Sequence, residues 1–200
     1  IFRTYSSVLF CCAAGIIWLC RPVMHIMKSN YYTAWHFVPF LALASTCSCF
    51  NQFLNSVYVV NKKSTHSLWT MLAGAASNCI MNYFFIKWWG PVGATYASFL
   101  GLGVVFILRA IDAHNMIGMS IHPARVLLNF AVLAGEALVL LAEVPLYGLW
   151  TGLITLGIIL YNFAGVWAMA RILLPKLLGR RGKALVKTID SLLAPREKQA

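Results

Sequence analysis

Two long apolar runs in this sequence are separated by a single Gly-Pro pair, and this arrangement constrains the fold more than any other feature. Residues 68–89 contain one charge, Lys87 near the end of the run, and residues 92–111 form the next run. A helix of ~20 mainly apolar residues crosses a bilayer. Because proline lacks an N–H and glycine loses the most backbone entropy, Gly90-Pro91 ends the first helix and favours a tight turn. The pattern predicts a transmembrane hairpin.

Composition extends this prediction to the whole chain. Hydrophobic residues make up 60% of the 200 residues and charged residues only 10%, whereas soluble domains carry about 25% charged residues. In lipid, only helices and closed barrels satisfy every backbone hydrogen bond, and continuous rather than alternating apolar runs favour helices. We therefore expect an all-α, polytopic membrane helix bundle.

The apolar runs and their short connections predict about six transmembrane helices. Residues 1–111 would form a four-helix part, residues 112–170 two further helices, and residues 171–200 a basic cytoplasmic tail. The hydrophobic spacing of the tail is typical of an interfacial amphipathic helix, with a frayed, solvated tail as the alternative. The six predicted spans are residues 6–27, 35–60, 68–89, 92–111, 126–142 and 146–170.

The net charge of +11 is distributed as in membrane proteins, so no nucleic-acid partner is expected. Eight of the 16 Lys and Arg residues follow Ala170, and most of the others flank apolar runs. The positive-inside rule makes one side cytoplasmic, facing an anionic inner leaflet, together with the C-terminal tail. That side would carry Arg3, Lys62, Lys63, Arg109 and Arg125, against Lys28 and Lys87 on the other.

Four asparagines inside the predicted spans are candidate substrate-binding residues. Asn51 and Asn55 are four residues apart and share one helix face, and Asn78 and Asn82 repeat this spacing. Amides in membrane helices hydrogen-bond to neighbouring helices, which is the structural interpretation. The functional alternative is that they bind the hydroxyl groups of a sugar.

Two charged residues inside the spans also have a structural and a functional interpretation. Glu136 lies near the middle of the fifth span, where a carboxylate is costly, so it is either a neutral helix contact or a proton relay. Arg21 precedes Pro22 near the end of the first span, where it either reaches the interface or contacts an anionic cargo.

No catalytic or metal-binding pattern accompanies these polar residues. The six cysteines lie inside apolar runs without metal-ligand spacing, and no histidine has a carboxylate partner at helical spacing. Small residues at Gly93, Ala97 and Gly101 instead indicate close helix packing. We expect no enzyme activity, no metal and no cofactor, and transport is the default function for such a bundle.

A set of residues in and around the hairpin carries a resemblance to a known family. They are Lys62-Lys63-Ser64, Asn78, Asn82, Ile86, Gly90-Pro91-Val92-Gly93-Ala94 and Ala97. With these residues the chain resembles the C-terminal region of the polysaccharide flippases, whose superfamily also contains multidrug and toxic compound extruders and lipid II flippases. The resemblance covers about residues 6–111, and Arg21 departs from the apolar residue that the family usually has before the proline at position 22.

This resemblance implies the C-terminal part of a two-lobed transporter with a dozen or more helices, which also fits a chain beginning at Ile1. Its cargo would be a lipid-linked oligosaccharide on a polyprenyl pyrophosphate, flipped across the cytoplasmic membrane for cell-surface polysaccharide biosynthesis. The N-terminal half of the same protein would be its partner. The alternatives are a drug/cation antiporter of the same fold, or a membrane-embedded glycan polymerase or acyltransferase.

Overall fold

The structure, a computed structural model, describes residues 2–26, 34–118, 122–143 and 145–193. Within these ranges every long element is a helix, and the predicted all-α class is confirmed. A short 3₁₀ turn, Gly90–Val92, joins the third and fourth helices. The helices are α1 (Phe2–Ile26), α2 (Val38–Val60), α3 (Ser64–Trp89), α4 (Gly93–Ile117), α5 (Pro123–Leu141) and α6 (Tyr147–Leu193).

Four segments of the described chain are long and apolar enough to cross a membrane. The segment Ser64–Ile117 contains both α3 and α4, so the four segments include five of the helices. The remaining helix, α2, carries the amides of Asn51, Gln52 and Asn55 within 23 residues, which lowers its hydropathy. The prediction of six crossings therefore stays a prediction. The other three segments are Phe2–His25, Pro123–Leu141 and Tyr147–Lys176.

The last helix differs most from the sequence prediction. We expected a span ending at Ala170 and a separate tail helix after Pro175, but α6 is one helix of 47 residues with Pro175 inside it. Its length is ~70 Å at 1.5 Å per residue. Proline removes a single i→i−4 hydrogen bond, and the bonds of the flanking turns remain. Residues 171–193 thus extend α6, while the tail side chains that suggested an amphipathic face, and residues 194–200, lie outside the described part.

The six helices pack as two groups of three. In one group α4 packs against α2 and α3, and in the other α6 packs against α1 and α5. The groups meet where α1 packs on α2 and, less extensively, where α5 reaches α2. Aromatic rings from both groups fill the centre: Phe10 lies 5.5 Å from Phe50, and Phe130 lies 5.1 Å from Phe10 and 6.2 Å from Phe106.

Contacts between the helix ends show that the chain alternates in direction. Phe40, at the start of α2, contacts Tyr96 at the start of α4, which makes these helices parallel. We call the end with the α3–α4 turn the Gly90 end and the opposite end the Lys62 end. The Gly90 end has the C-termini of α1, α3 and α5, as the alternating crossings predicted.

The outer surface of the bundle is strongly apolar. In α3 only Thr70 and Gly74 are buried, so most of its large side chains face outward. Trp88 and Trp89 are exposed at the Gly90 end of α3, and tryptophan is enriched where membrane helices meet the interface. An exposed apolar surface of this extent is typical of a protein surrounded by lipid or by further protein.

The helical hairpin is confirmed, its crossing of a membrane stays a prediction, and glycine has two distinct roles in the hairpin. Gly90 has φ 62° and ψ −151°, a backbone conformation open almost only to glycine. A Cβ at Gly93 would overlap the carbonyl oxygen of Phe85, and a Cβ at Gly101 would lie 2.8 Å from the Asn78 Cβ. Ala97 between them is fully buried. The small-residue stripe of α4 therefore packs directly on the backbone of α3.

Gly93→Ala should destabilise the protein by about 1–3 kcal/mol, because the added methyl group must push α3 away from α4. Gly103→Ala is the matched control, since a Cβ at Gly103 in the same helix meets nothing within 4 Å. Thermal unfolding in detergent measures both. Equal unfolding temperatures for Gly93→Ala and Gly103→Ala would contradict close packing in the hairpin.

Candidate functional site

Arg109 is the most deeply buried cation in the described part of the chain, with 3% of its surface exposed. From α4 its Nη1 donates to the Asn51 carbonyl of α2 at 2.7 Å, and its Nε donates to Thr70 Oγ1 of α3 at 3.2 Å. Its Nη2 donates to Ser67 Oγ at 3.2 Å. Arg109 therefore connects all three helices of its group through neutral acceptors.

The sequence analysis counted Arg109 among the charges on one side of the membrane, and the structure shows that its side chain is buried among three helices. The predicted span ended at residue 111, which placed Arg109 at its edge. In the structure α4 continues to Ile117, about two turns beyond Arg109. The signal that could have identified it is the neighbouring run of polar residues 64–67 on α3, which supplies hydrogen-bond acceptors.

The structure brings Asn51 and Asn55 close to this arginine. Asn51 Nδ2 donates to the Leu102 carbonyl of α4 at 3.0 Å, and Asn55 Oδ1 accepts from Ser67 Oγ at 2.6 Å. Both amides thus join helices, which is the structural interpretation of their spacing. The Asn51 Oδ1 atom is buried and has no hydrogen-bond partner among the described residues.

Asn78 and Asn82 lie apart from Asn51 and Asn55. The Asn82 side chain donates to the Asn78 Oδ1 atom within α3, and Asn78 packs against Gly101 of α4. The predicted i, i+4 pairing is therefore a contact along one helix. The four predicted asparagines do not converge on one cavity, so a role in sugar binding stays a prediction.

A second polar cluster, which the sequence analysis missed, joins α1, α5 and α6. Arg125 Nη2 donates to Asn162 Oδ1 at 3.0 Å, and Asn162 Nδ2 donates to Asn129 Oδ1 at 2.7 Å. Arg125 also contacts Ser7 Oγ at 3.4 Å. Asn129 and Asn162 are isolated in the sequence, and only the antiparallel packing of α5 and α6 brings them together.

Glu136 is completely buried between α5 and α6. Its Oε1 accepts a hydrogen bond from Thr155 Oγ1 at 2.8 Å, while its Oε2 has no partner among the described residues. No described cation makes an ion pair with it. A charged carboxylate in such surroundings is costly, which favours a neutral acid. A proton relay at Glu136 stays a prediction.

Arg21 lies in a cage at the Gly90 end. Its guanidinium is 4.0 Å from the ring centroid of Trp35 and 4.3 Å from that of Tyr147, and it forms an ion pair with Glu143. The Arg21 side chain is 11% exposed and the Glu143 side chain 58%. The cage contains side chains from both three-helix groups, since Trp35 precedes α2 and Tyr147 begins α6.

An open space lies between α4 and α5, away from these polar clusters. It is an apolar crevice of about 930 Å³ whose walls include Phe99, Gly103, Ile107, Leu127 and Phe130. None of Arg21, Asn51, Asn55, Asn78, Asn82 and Glu136 lines it. The predicted polar residues and this crevice are therefore separate features of the bundle.

Searches for a metal site and for similar proteins return nothing. Within the described residues, no three His, Cys, Asp or Glu side chains are grouped so that they could hold a metal ion. No family model, curated protein or solved structure matches the chain.

Arg109→Lys should destabilise the protein by about 1–3 kcal/mol, because an ammonium retains the buried charge but cannot reproduce the fork of guanidinium hydrogen bonds. Arg3→Lys is the matched control, since Arg3 is exposed. Chemical or thermal unfolding in detergent compares the two variants. Wild-type stability of Arg109→Lys would show that one hydrogen bond is enough to hold the three helices.

Proposed function

We propose that this chain belongs to a membrane transporter that flips lipid-linked oligosaccharide, a glycan on a polyprenyl pyrophosphate, across the cytoplasmic membrane. The Arg21 cage is the observation that carries the proposal. The resemblance of the hairpin region to the polysaccharide flippases supplies the class of cargo. The long apolar helices with lipid-compatible outer faces support a membrane location.

The chemistry of the cage suits an anionic cargo. A guanidinium binds carboxylate and phosphate oxygens through paired hydrogen bonds, so a pyrophosphate can take the place that Glu143 occupies. Glu143 is the more exposed partner, and the exchange replaces one anion by another without leaving Arg21 uncompensated. The Arg21 Nε atom is buried without a described partner and remains as a further donor.

The cage also contains parts of both three-helix groups. Arg21 and Tyr147 belong to the group of α1, α5 and α6, while Trp35 precedes α2 of the other group. A relative movement of the two groups would therefore change how the guanidinium is covered. Such a movement is what alternating access requires of a transporter.

The distribution of exposed charge supports a cytoplasmic Lys62 end. Arg3, Lys62 and Lys63 are exposed there, and the positive-inside rule places such residues in the cytoplasm. The Gly90 end would then face outward, and α6 would run toward a cytoplasmic C-terminus. Labelling single cysteines at positions 63 and 90 with an impermeant reagent in intact cells tests this orientation.

Arg21→Ala should lose at least tenfold in transport and Arg21→Lys should retain part of it, because a lysine offers only a point charge to a pyrophosphate. Flipping of a lipid-linked oligosaccharide in proteoliposomes is the measurement, at matched protein abundance. Full activity of Arg21→Ala would show that the cage has only a structural role.

Glu143→Gln separates cargo binding from structural support at the same site. If Glu143 competes with the cargo, its removal should lower the cargo concentration needed for half-maximal flipping by a few-fold. If the ion pair only stabilises the helix ends, Glu143→Gln and Arg21→Ala should lose stability and transport together.

Glu136→Gln should abolish transport driven by a proton gradient while cargo binding persists, because the amide keeps the shape of the side chain and cannot titrate. The measurement compares flipping with and without an imposed gradient. Thr155→Val is the control, since it removes the hydrogen bond to Glu136 and keeps the carboxyl group. Unchanged gradient-driven flipping by Glu136→Gln would return Glu136 to a packing role.

A further inference from the structure

We infer that the apolar crevice between α4 and α5 binds an acyl chain of an anionic membrane phospholipid whose headgroup lies at the Lys62 end. The inference rests on the proposed membrane location and is independent of the proposed cargo. It concerns a lipid that is part of the working protein, held between the two three-helix groups.

The lining of the crevice excludes water and suits hydrocarbon. Seventeen residues line it, and apart from His114 and His122 at one end their side chains are apolar. A buried water needs two to four polar partners, which these walls do not offer. The volume of about 930 Å³ falls within the range of about 300–1,000 Å³ that is usual for ligand sites.

The crevice is lined by buried residues on one side and is open on the other. Phe106 and Phe130 line it with ring centroids 6.2 Å apart, and Cys47 of α2, also in its lining, is buried in the bundle. Ile107 and Leu127 line its outer rim and are 58% and 73% exposed. A chain can therefore enter from the side of the bundle, where lipid would lie in the proposed membrane.

The crevice is longer than the hydrocarbon of one leaflet. Along α4 its lining extends from Phe99 to His114, which is ~22 Å at 1.5 Å per residue. One leaflet contributes about half of the ~30 Å hydrocarbon core of a bilayer. A single acyl chain whose headgroup lies at the Lys62 end thus has enough space to lie along the groove.

Charge at the mouth of the crevice favours an anionic headgroup. His114 and His122 line the end of the crevice, next to the first turn of α5, where helix N–H groups favour negative charge. The positive charge at this end of the bundle comes from exposed side chains of Arg3, Lys62, Lys63 and Arg171. Asp112, the acidic residue described there, accepts a hydrogen bond from Tyr58 at 2.8 Å.

Glycine substitutions provide a direct test. A Cβ at Gly103, in the crevice wall, and a Cβ at Gly135, on α5 outside the crevice, both meet nothing within 4 Å. Native mass spectrometry of the purified protein, titrated with phosphatidylglycerol or phosphatidylcholine, counts bound lipid. We expect wild type and Gly135→Trp to hold one phosphatidylglycerol and Gly103→Trp to bind it at least tenfold more weakly.

A second variant tests the position of the headgroup. The double change His114→Ala with His122→Ala should reduce the preference for phosphatidylglycerol over phosphatidylcholine by several-fold while leaving the crevice walls intact. Equal lipid binding by Gly103→Trp and Gly135→Trp would overturn the inference. Displacement of phosphatidylglycerol by a polyprenyl pyrophosphate at lower concentration would also overturn it and assign the crevice to the cargo tail. Lipid binding is measured without transport, so these outcomes can be interpreted even if the protein does not flip the proposed cargo.

Discussion

The hydrogen bonding of the buried Arg109 guanidinium is the constraint on which the arrangement of α2, α3 and α4 depends. Removing an arginine from water is costly unless its donors find acceptors. The Asn51 carbonyl, Thr70 and Ser67 supply them, and they lie on two different helices. Those acceptors are within reach only because the small residues of α4 let α3 approach closely, as the contact of Gly101 with Asn78 shows.

The guanidinium groups of the three interior arginines have three different kinds of partner. Arg109 is surrounded by carbonyl and hydroxyl oxygens, and Arg125 by the Asn162 amide and Ser7. Of these three, only Arg21 pairs with a carboxylate among the described residues, in an aromatic cage at the end of the bundle. Exchange of one anion for another is possible only in the third case, which is why the proposed cargo site is placed there.

The division into two three-helix groups gives the remaining features a common cause. Each group has its own polar cluster, and the two clusters do not share a hydrogen bond among those described. The groups are joined by apolar contacts around Phe10, Phe50 and Phe130 and by a hydrogen bond from the Tyr5 hydroxyl to the Cys49 carbonyl at 3.0 Å. The apolar crevice lies between α4 and α5, where one helix of each group contributes to its walls.

Sequence alone determined the local features, because these depend on residues that are close together in the chain. The helical class follows from continuous apolar runs. The turn follows from Gly90-Pro91, and the packing of the hairpin from the small residues Gly93, Ala97 and Gly101. Sequence did not determine where α6 ends, because Pro175 lies inside that helix instead of stopping it. The end of α4 has a signal that the sequence analysis did not use, since Gly118 adopts a left-handed conformation and caps the helix. Tertiary structure decided that Arg109 is buried, that Arg21 meets Glu143, and that Asn129 meets Asn162. Those partners are 33 or more residues apart in the chain, and only the packing of whole helices brings them together.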